Sequence, residues 1–299
     1  MKGMLTNEKW KKAVVHLECV ANDFTKEVEE KLHQGQITNQ QLIQIMTREK
    51  RSQGTAVFLK EGDKQYLVTA KHVVEDRSSG YIDYLCNPIF LVPRYGQATE
   101  DEEVFIMNIN AGVTRMRPFA LSNDEEDLAV ISLNSIDTKN FAEALLKQGY
   151  EPIDITEVQN DSSVLTEGDD VFAIGFPNTS LLQERELTQA EIPWKSKHIS
   201  SPLFSFGKIA MNPDLNFIWV DISIYPGNSG GPVIKDGKLI GIVSGQSVIL
   251  GNSITQSGKP IYTGDGEQIY SQIRIPFAKV IKSHLIFNLL EQLNQKEII

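Results

Sequence analysis

The most informative segment of the sequence is Tyr225-Pro226-Gly227-Asn228-Ser229-Gly230-Gly231-Pro232, which places one serine among glycines between two apolar runs. Glycine on both sides of Ser229 permits positive φ angles, so the chain can turn tightly at this point. Such a turn can direct the amide N–H groups of Gly227 and Ser229 at one point beside the serine hydroxyl, as an oxyanion hole requires. A glycine-rich turn without chemistry is the alternative, and for a lone motif of this kind it is the more frequent one.

A serine hydroxyl becomes a nucleophile only when a base removes its proton, so a partner histidine is needed. His72 is the best candidate of the five histidines, because it follows the predicted strand 65–69, where a sheet passes the chain to a loop. The other four lie in a strand, in helical patterns or in a polar insert: His16, His33, His198 and His284.

A buried carboxylate should orient the imidazole. The acidic run 124–127 ends at Asp127, which directly precedes the apolar strand predicted over 128–133. Asp127 is therefore the member of the run that we expect to point inward, and Asp124 is the alternative.

Short apolar runs separated by turn residues occupy most of the chain from Gly54 onward, a pattern typical of strands. They lie at 55–59, 65–69, 104–107, 128–133, 171–174, 217–220, 231–234 and 239–243. A helical pattern at 140–149 and a connector to Gly168 divide them into two groups. Two such groups predict a mainly β protein with two small antiparallel barrels and peripheral helices.

The remaining elements complete the expected organisation. A strand is predicted at 13–20, a helix at 23–32, and a second helix that starts at the capping box 38–41 and continues to 46. A C-terminal helix is predicted within 276–295, where apolar residues recur at helical spacing: Phe277, Val280, Ile281, Leu285, Leu289 and Leu293. We expect an N-terminal strand and helical insert over 1–50, a first barrel and connector helix over 51–150, and a second barrel and C-terminal helix over 151–299.

Composition excludes several classes of function. The chain of 299 residues carries 29 basic and 39 acidic residues, so its net charge of −10 argues against a nucleic-acid partner. No apolar run is long enough to cross a membrane, and no signal peptide is recognisable. Cys19 and Cys86 are too few for a disulfide framework and lack the spacing of a zinc site, which favours free cysteines, a reducing compartment and a cytoplasmic location. We expect no metal and no organic cofactor, and the sequence does not indicate the oligomeric state.

Together these segments resemble trypsin-like serine proteases of the chymotrypsin fold, and among them the bacterial HtrA/Deg-type branch without a PDZ domain. The order His72, Asp127, Ser229 is the order of that fold. The resemblance covers residues 52–280 as spaced motifs: 68–74, 127–130, 168–177, 226–232 and 241–244. It implies two six-stranded barrels and hydrolysis of a protein or peptide substrate.

The resemblance also assigns roles to individual residues. His72 would be the general base and then the general acid, Asp127 would orient it, and Ser229 would attack the acyl carbon, with the amides of Gly227 and Ser229 as the oxyanion hole. The segment Ser244-Gly245-Gln246 would pair with the substrate backbone. Ser223 would lie near the base of the specificity pocket with Val243 in its wall, and because neither is charged we expect an uncharged, small or aliphatic P1 residue.

Two departures from the family pattern carry expectations of their own. Asn228 is neutral where proteases that mature by cleavage have an aspartate, so activity should not require cleavage of the N-terminus. The segment 181–204 is longer than expected and is either a lid or a passive surface loop. A catalytically silent peptide-binding module and an esterase with the same triad are the alternative functions.

Overall fold

A computed structural model describes residues 2–22, 26–38, 40–41, 49–77, 84–95, 106–107, 117–178, 181–184, 196, 198–255 and 257–297. Its helices are α1 (Lys2–Ala13), α2 (Lys26–His33), α3 (Lys71–Val74), α4 (Lys139–Lys147) and α5 (His284–Glu297). The strands of the N-terminal half are β1 (Val14–Asn22), β2 (Glu49–Glu61), β3 (Lys64–Ala70), β4 (Ile89–Leu91), β5 (Ile106–Met107), β6 (Phe119–Leu121), β7 (Leu128–Ser132) and β8 (Ile153–Asp154). The strands of the C-terminal half are β9 (Asp170–Gly175), β10 (Leu181–Glu184), β11 (His198–Ser200), β12 (Leu203–Met211), β13 (Phe217–Asp221), β14 (Pro232–Lys235), β15 (Lys238–Asn252) and β16 (Tyr270–Lys282).

The strands form two main units, which confirms the expected mainly β, chymotrypsin-like architecture. The C-terminal unit is a closed barrel of six strands in the order β12-β13-β16-β15-β14-β9. The N-terminal unit is a sheet in the order β5-β4-β1-β2-β3-β7-β6, and β8 joins it in parallel with β2. This sheet has eight strands, whereas six were expected for the first barrel. The two additional strands are the N-terminal β1 and the short β8, which both pair with β2.

The two units share one core. A continuous apolar cluster contains Trp10 of α1, Val57 of β2 and Leu128 of β7 from the first half, and Ile242 of β15 and Leu289 of α5 from the second. Each unit also has its own cluster inside. Burial of both surfaces against each other fixes the relative position of the loops that emerge between them.

The C-terminal helix begins later than the sequence predicts. Phe277, Val280 and Ile281 belong to β16, and only the part from His284 onward is helical. Val280 packs inside the barrel, whereas Ile281 on the opposite face packs in the shared core, so the end of β16 is buried on both faces. Apolar residues on both faces remove the alternation that distinguishes a strand from a helix, which is why the prediction was wrong here.

The N-terminal predictions have mixed outcomes. The sequence did not indicate α1, and β1 follows it directly. The predicted helix at 23–32 corresponds to α2, after which Gly35 has a φ of 67°. The capping box is present, because the Thr38 N–H donates to Gln41 Oε1 at 2.9 Å and the Gln41 N–H donates to Thr38 Oγ1 at 3.3 Å. The rest of that predicted helix, 42–46, lies outside the described residues, as do positions 104 and 105 of one predicted strand.

β15 and β16 continue beyond the barrel as a two-stranded arm, in which Val248 pairs with Arg274 and Asn252 pairs with Tyr270. Many of its side chains are large, apolar and exposed: Val248, Ile249, Leu250, Ile254, Ile261, Tyr262, Ile269, Tyr270 and Ile273. The arm is important for the site, because it begins directly after the segment 244–246.

Cys19 and Cys86 are both free and buried, as the sequence favours. Among the described helices, none combines the length and the apolar character that a membrane span requires.

Candidate active site

His72 and Asp127 meet because of the register of two strands. Ala70 at the end of β3 pairs with Leu128 at the start of β7, so the residues that follow β3 and precede β7 emerge at the same edge of the sheet. His72 Nδ1 lies 2.7 Å from Asp127 Oδ2, and the His72 backbone N–H donates to Asp127 Oδ1 at 2.9 Å. Two contacts with one carboxylate fix both the position and the ring orientation of the histidine.

Asp127 is held in an unusual backbone conformation, with a φ of 44°. Left-handed backbone is uncommon for residues other than glycine, and aspartate tolerates it better than most. The side chain is buried, and its Oδ2 also accepts a hydrogen bond from Ser244 Oγ at 2.5 Å. Burial alone would raise the pKa of Asp127, but the hydrogen bonds and charge of His72, together with the Ser244 hydroxyl, lower this pKa below its usual value.

Asp124, the alternative to Asp127, lies on the surface. Its carboxylate accepts a hydrogen bond from Lys71 Nζ at 2.8 Å, and 73% of its side chain is exposed. The residue next to β7 thus points inward, as its position in the sequence predicts, and Asp124 does not.

The glycine loop between β13 and β14 forms a tight turn. The Asn228 N–H donates to the Tyr225 carbonyl at 3.0 Å, and Gly227 has a φ of 98°, so Tyr225–Asn228 is a type II turn with proline at its second position. The Pro226 carbonyl accepts a hydrogen bond from the Asn178 N–H at 2.8 Å. Carbonyl and N–H groups of one trans peptide point in opposite directions, so the Gly227 N–H points away from Asn178.

Thr55 of β2 binds the glycine loop at two points. Its backbone N–H donates to the Ser229 carbonyl at 2.8 Å, and its Oγ1 donates to the Gly227 carbonyl at 2.8 Å. The same Oγ1 accepts from the Phe176 N–H at 3.0 Å. Thr55 is fully buried and thus joins the first sheet to both the turn and the end of β9.

Ser229 and His72 line one cavity of about 280 Å³, together with Ile224, Tyr225, Pro226, Ser244, Gly245, Gln246, Val248 and Arg274. The imidazole and the hydroxyl are not hydrogen-bonded in this structure. The Ser229 hydroxyl instead donates a long hydrogen bond of 3.5 Å to the Ser244 carbonyl.

The structure brings together most of the predicted site residues. His72, Ser229 and the segment 244–246 line the cavity. Asp127 and Gly227 are not part of the lining: Asp127 binds His72, and Gly227 belongs to the turn that precedes Ser229. Ser223 and Val243 are not part of the lining: Ser223 is exposed, and Val243 points into the barrel core. Val243 is buried because side chains alternate along β15, which directs the next residue, Ser244, toward Asp127 instead.

Sequence reasoning missed Thr55 and Arg274. Thr55 looks like an ordinary β-branched strand residue, and no local pattern distinguishes it from its neighbours. Arg274 reaches the cavity only because the arm folds back and pairs it with Val248. Within the described part of the chain, no group of three or more histidine, cysteine, aspartate or glutamate side chains is placed to hold a metal ion.

A buried histidine lies behind the glycine loop. His16 of β1 stacks on Phe176 with ring centroids 4.7 Å apart, and its Nδ1 lies 2.6 Å from Ser200 Oγ. Burial lowers the pKa of His16 to about 3, so the ring is neutral at physiological pH. Through Ser200, this histidine holds the end of the segment 181–204 against the first sheet. Residues 185–195 and 197 of that segment lie outside the described part.

A family model described as the trypsin-like peptidase domain matches residues 54–242, which include all three candidate residues of the triad. The chain belongs to this family. The trypsin-like chain is 28% identical over 191 residues to the serine protease Do-like HtrA of Bacillus subtilis (strain 168), over 63% of this chain and 32% of that protein. It is 26% identical over 218 residues to the serine protease Do-like HtrB of the same strain, over 73% of this chain and 37% of that protein.

The match to these two relatives thus spans only about a third of their length. Among solved structures, an HtrA-type protease, AlgW, with a bound decapeptide superposes with a TM-score of 0.50 at 17% identity, covering 98% of this chain and 66% of the other. This likeness supports the trypsin-like fold.

Proposed function

We propose that the protein is a serine endopeptidase that cleaves peptide bonds through an acyl-enzyme. The observation that carries this proposal is the hydrogen bond between His72 and buried Asp127 at a cavity that Ser229 also lines. With Nδ1 held by Asp127, the proton-accepting nitrogen of the imidazole is Nε2. The family match supports the same reaction.

In the proposed reaction, Ser229 Oγ attacks the substrate carbonyl carbon while its proton passes to His72 Nε2. The resulting oxyanion accepts hydrogen bonds from the amides of Gly227 and Ser229. His72 then donates the proton to the leaving amine, the carbon–nitrogen bond breaks, and the acyl group stays on Ser229. Water releases the acid by the same steps, with His72 again as base and then acid. Asp127 remains ionised throughout, which its lowered pKa favours.

Two features of the turn support the oxyanion hole. The Asn178 hydrogen bond to the Pro226 carbonyl directs the Gly227 N–H toward the opposite side of the turn. The contacts of Thr55 with the carbonyls of Gly227 and Ser229 hold both residues in place before substrate arrives. Preorganised donors are effective because they do not have to reorient during the reaction.

The hydrogen bond between His72 and Ser229 would form on substrate binding. Catalytic hydrogen bonds are often long or misaligned without substrate and shorten in the complex. The bond from Ser229 to the Ser244 carbonyl, at 3.5 Å, is weak enough to be exchanged at little cost.

We also infer that the intact chain is active without N-terminal cleavage. Asn228 is buried and uncharged, so it cannot form an ion pair with a newly exposed terminal amine. The expectation of an uncharged P1 residue rests on Ser223 and Val243, and neither lines the cavity. Selectivity must therefore come from other lining residues.

The test is to incubate the intact protein with a library of proteome-derived peptides, beside the Ser229→Ala variant. We expect new peptide termini with the wild type and none with the variant, which lacks the nucleophile. Cleavage that persists in Ser229→Ala would overturn the assignment of the nucleophile. Activity that appears only after N-terminal trimming would overturn the inference from Asn228.

A silent peptide-binding module is the second candidate, and the Ser229 hydrogen bond to Ser244 is the observation that favours it. A module of this kind would bind peptides with the same affinity in the wild type and in Ser229→Ala, and neither form would cut them. The library experiment separates the two functions directly.

A further inference from the structure

Arg274 is the only lysine, arginine, aspartate or glutamate among the described residues that line the active-site cavity. It lies on β16 opposite Val248 of β15, at the base of the arm, and both residues face the cavity that contains Ser229. Gln246 Nε2 donates to the Ile275 carbonyl at 3.0 Å and so ties the neighbouring backbone to the substrate-binding segment. The base of the arm, and Arg274 with it, is thereby fixed relative to the nucleophile.

The guanidinium has no internal partner in the described part of the chain. Arg274 is exposed, and none of the described carboxylates forms a salt bridge with it. Asp127 is the acidic residue of the site, and its two oxygens are already taken by His72 and Ser244. A cation without a counter-ion, inside a substrate cavity of a chain with a net charge of −10, is suited to an anionic ligand.

We propose that Arg274 binds a carboxylate of the substrate and selects glutamate or aspartate at P1, the residue whose carbonyl Ser229 attacks. This inference rests on the proposed endopeptidase function. The P1 side chain is the one that enters the cavity beside the nucleophile. Arginine presents a planar fork of donors that can hold a carboxylate with two hydrogen bonds. Ile224 and Val248 supply apolar walls for the methylene groups of such a side chain.

The experiment compares peptides that differ only at P1, with glutamate, glutamine or lysine at that position. For the wild type we expect kcat/KM to be on the order of 10-fold to 100-fold higher with glutamate than with glutamine, the range of a charge-assisted hydrogen bond. Arg274→Gln should remove this difference, and Arg274→Glu should reverse it in favour of lysine. The wild-type preference should also weaken as salt is added, because the arginine is exposed.

Lys279→Gln is the matched control. It removes one positive charge from the same strand, but Lys279 lies outside the cavity lining and its Nζ donates to the Glu125 carbonyl. The preference for glutamate should survive this change. Peptides with glutamate at P2 or P3 test which substrate residue Arg274 binds. The proposal would be overturned if glutamate raised kcat/KM at P2 or P3 in a way that depends on Arg274, but did not raise it at P1.

A fluorophosphonate without a side chain at the P1 position separates failure of this inference from failure of the proposed function. It should label Ser229 of the wild type and leave Ser229→Ala unlabelled, because its reaction needs the nucleophile and not the arginine. Labelling together with equal kcat/KM for glutamate and glutamine peptides would overturn the role of Arg274 and leave the endopeptidase in place. A wild type that is neither labelled nor active on any of the peptides would overturn both.

Discussion

Thr55→Val is the perturbation that most sharply separates structure from catalysis at this site. Valine has nearly the same shape as threonine but removes the hydroxyl that binds the Gly227 carbonyl and the Phe176 N–H. Thr55 is fully buried, so both partners lose a hydrogen bond without gaining water. At about 1–3 kcal/mol for each of the two unsatisfied groups, the free energy of unfolding should fall by roughly 2–6 kcal/mol.

The same change should reduce turnover. Thr55 holds the turn that carries the proposed oxyanion donors, and a displacement of about 1 Å at a reacting group costs on the order of 100-fold in rate. We expect kcat on peptides to fall by about 10-fold to 100-fold, while KM changes little because the cavity walls stay in place. Fluorophosphonate labelling should slow to a similar extent.

Thr55→Ser is the matched control, because it keeps the hydroxyl and removes only a methyl group, at a cost of about 1 kcal/mol. Urea unfolding and steady-state kinetics on all three proteins provide the comparison. A Thr55→Val protein that is less stable but has wild-type kcat would refute the positioning role. Equal loss of kcat in the serine variant would show that the methyl group, and not the hydroxyl, is responsible.

Three other changes have definite expected results. Asp127→Asn should lower kcat on peptides on the order of 10⁴-fold, because the amide no longer holds the imidazole in the required tautomer. Asp124→Asn, which changes a carboxylate on the surface, should leave kcat nearly unchanged in the same assay. Gly227→Ala should lower kcat by at least about 100-fold, because the Cβ of alanine would collide with the Phe176 carbonyl and because a φ of 98° is unfavourable for alanine. Normal turnover of this variant would contradict the turn described above. His16 has a pKa of about 3 in the folded protein and 6.5 when it is not buried, so between these pH values the unfolded state binds more protons than the folded state. The free energy of unfolding should therefore fall by roughly 1.4 kcal/mol for each pH unit below 6.5. Urea unfolding at pH 7 and pH 5 should show this fall in the wild type, and His16→Gln should lose less between the two pH values; an equal loss in both proteins would contradict it.

Local patterns in the sequence were sufficient for the parts of the fold that depend on neighbouring residues. Alternation and turn residues predicted strands such as β3 and β7, with His72 just after the first and Asp127 directly before the second. The pairing of these two strands in the structure is what brings the two residues to one edge. The glycines around Ser229 predicted the turn. In contrast, the end of β16 around Val280 and Ile281 lies between two packed layers, so both of its faces are apolar there and its spacing resembles that of a helix.

The residues that the sequence did not reveal depend on contacts between distant segments. Thr55 acts through the carbonyl of Gly227, which approaches it only when the two units share their core. Arg274 enters the cavity because of the pairing of the arm with Val248. The assignment of Ser223 and Val243 to the pocket followed family positions and not side-chain directions, and alternation along β15 directs Val243 into the core.

Activation of Ser229 as a nucleophile can be tested by mass spectrometry of the intact protein after exposure to a fluorophosphonate, with the modified residue located by peptide sequencing. We expect one adduct on Ser229 in the wild type, its absence in Ser229→Ala, and a strongly reduced rate in His72→Ala, because the probe reacts only with a serine that a base activates. An unmodified wild type, or an adduct of undiminished yield in Ser229→Ala, would contradict the account.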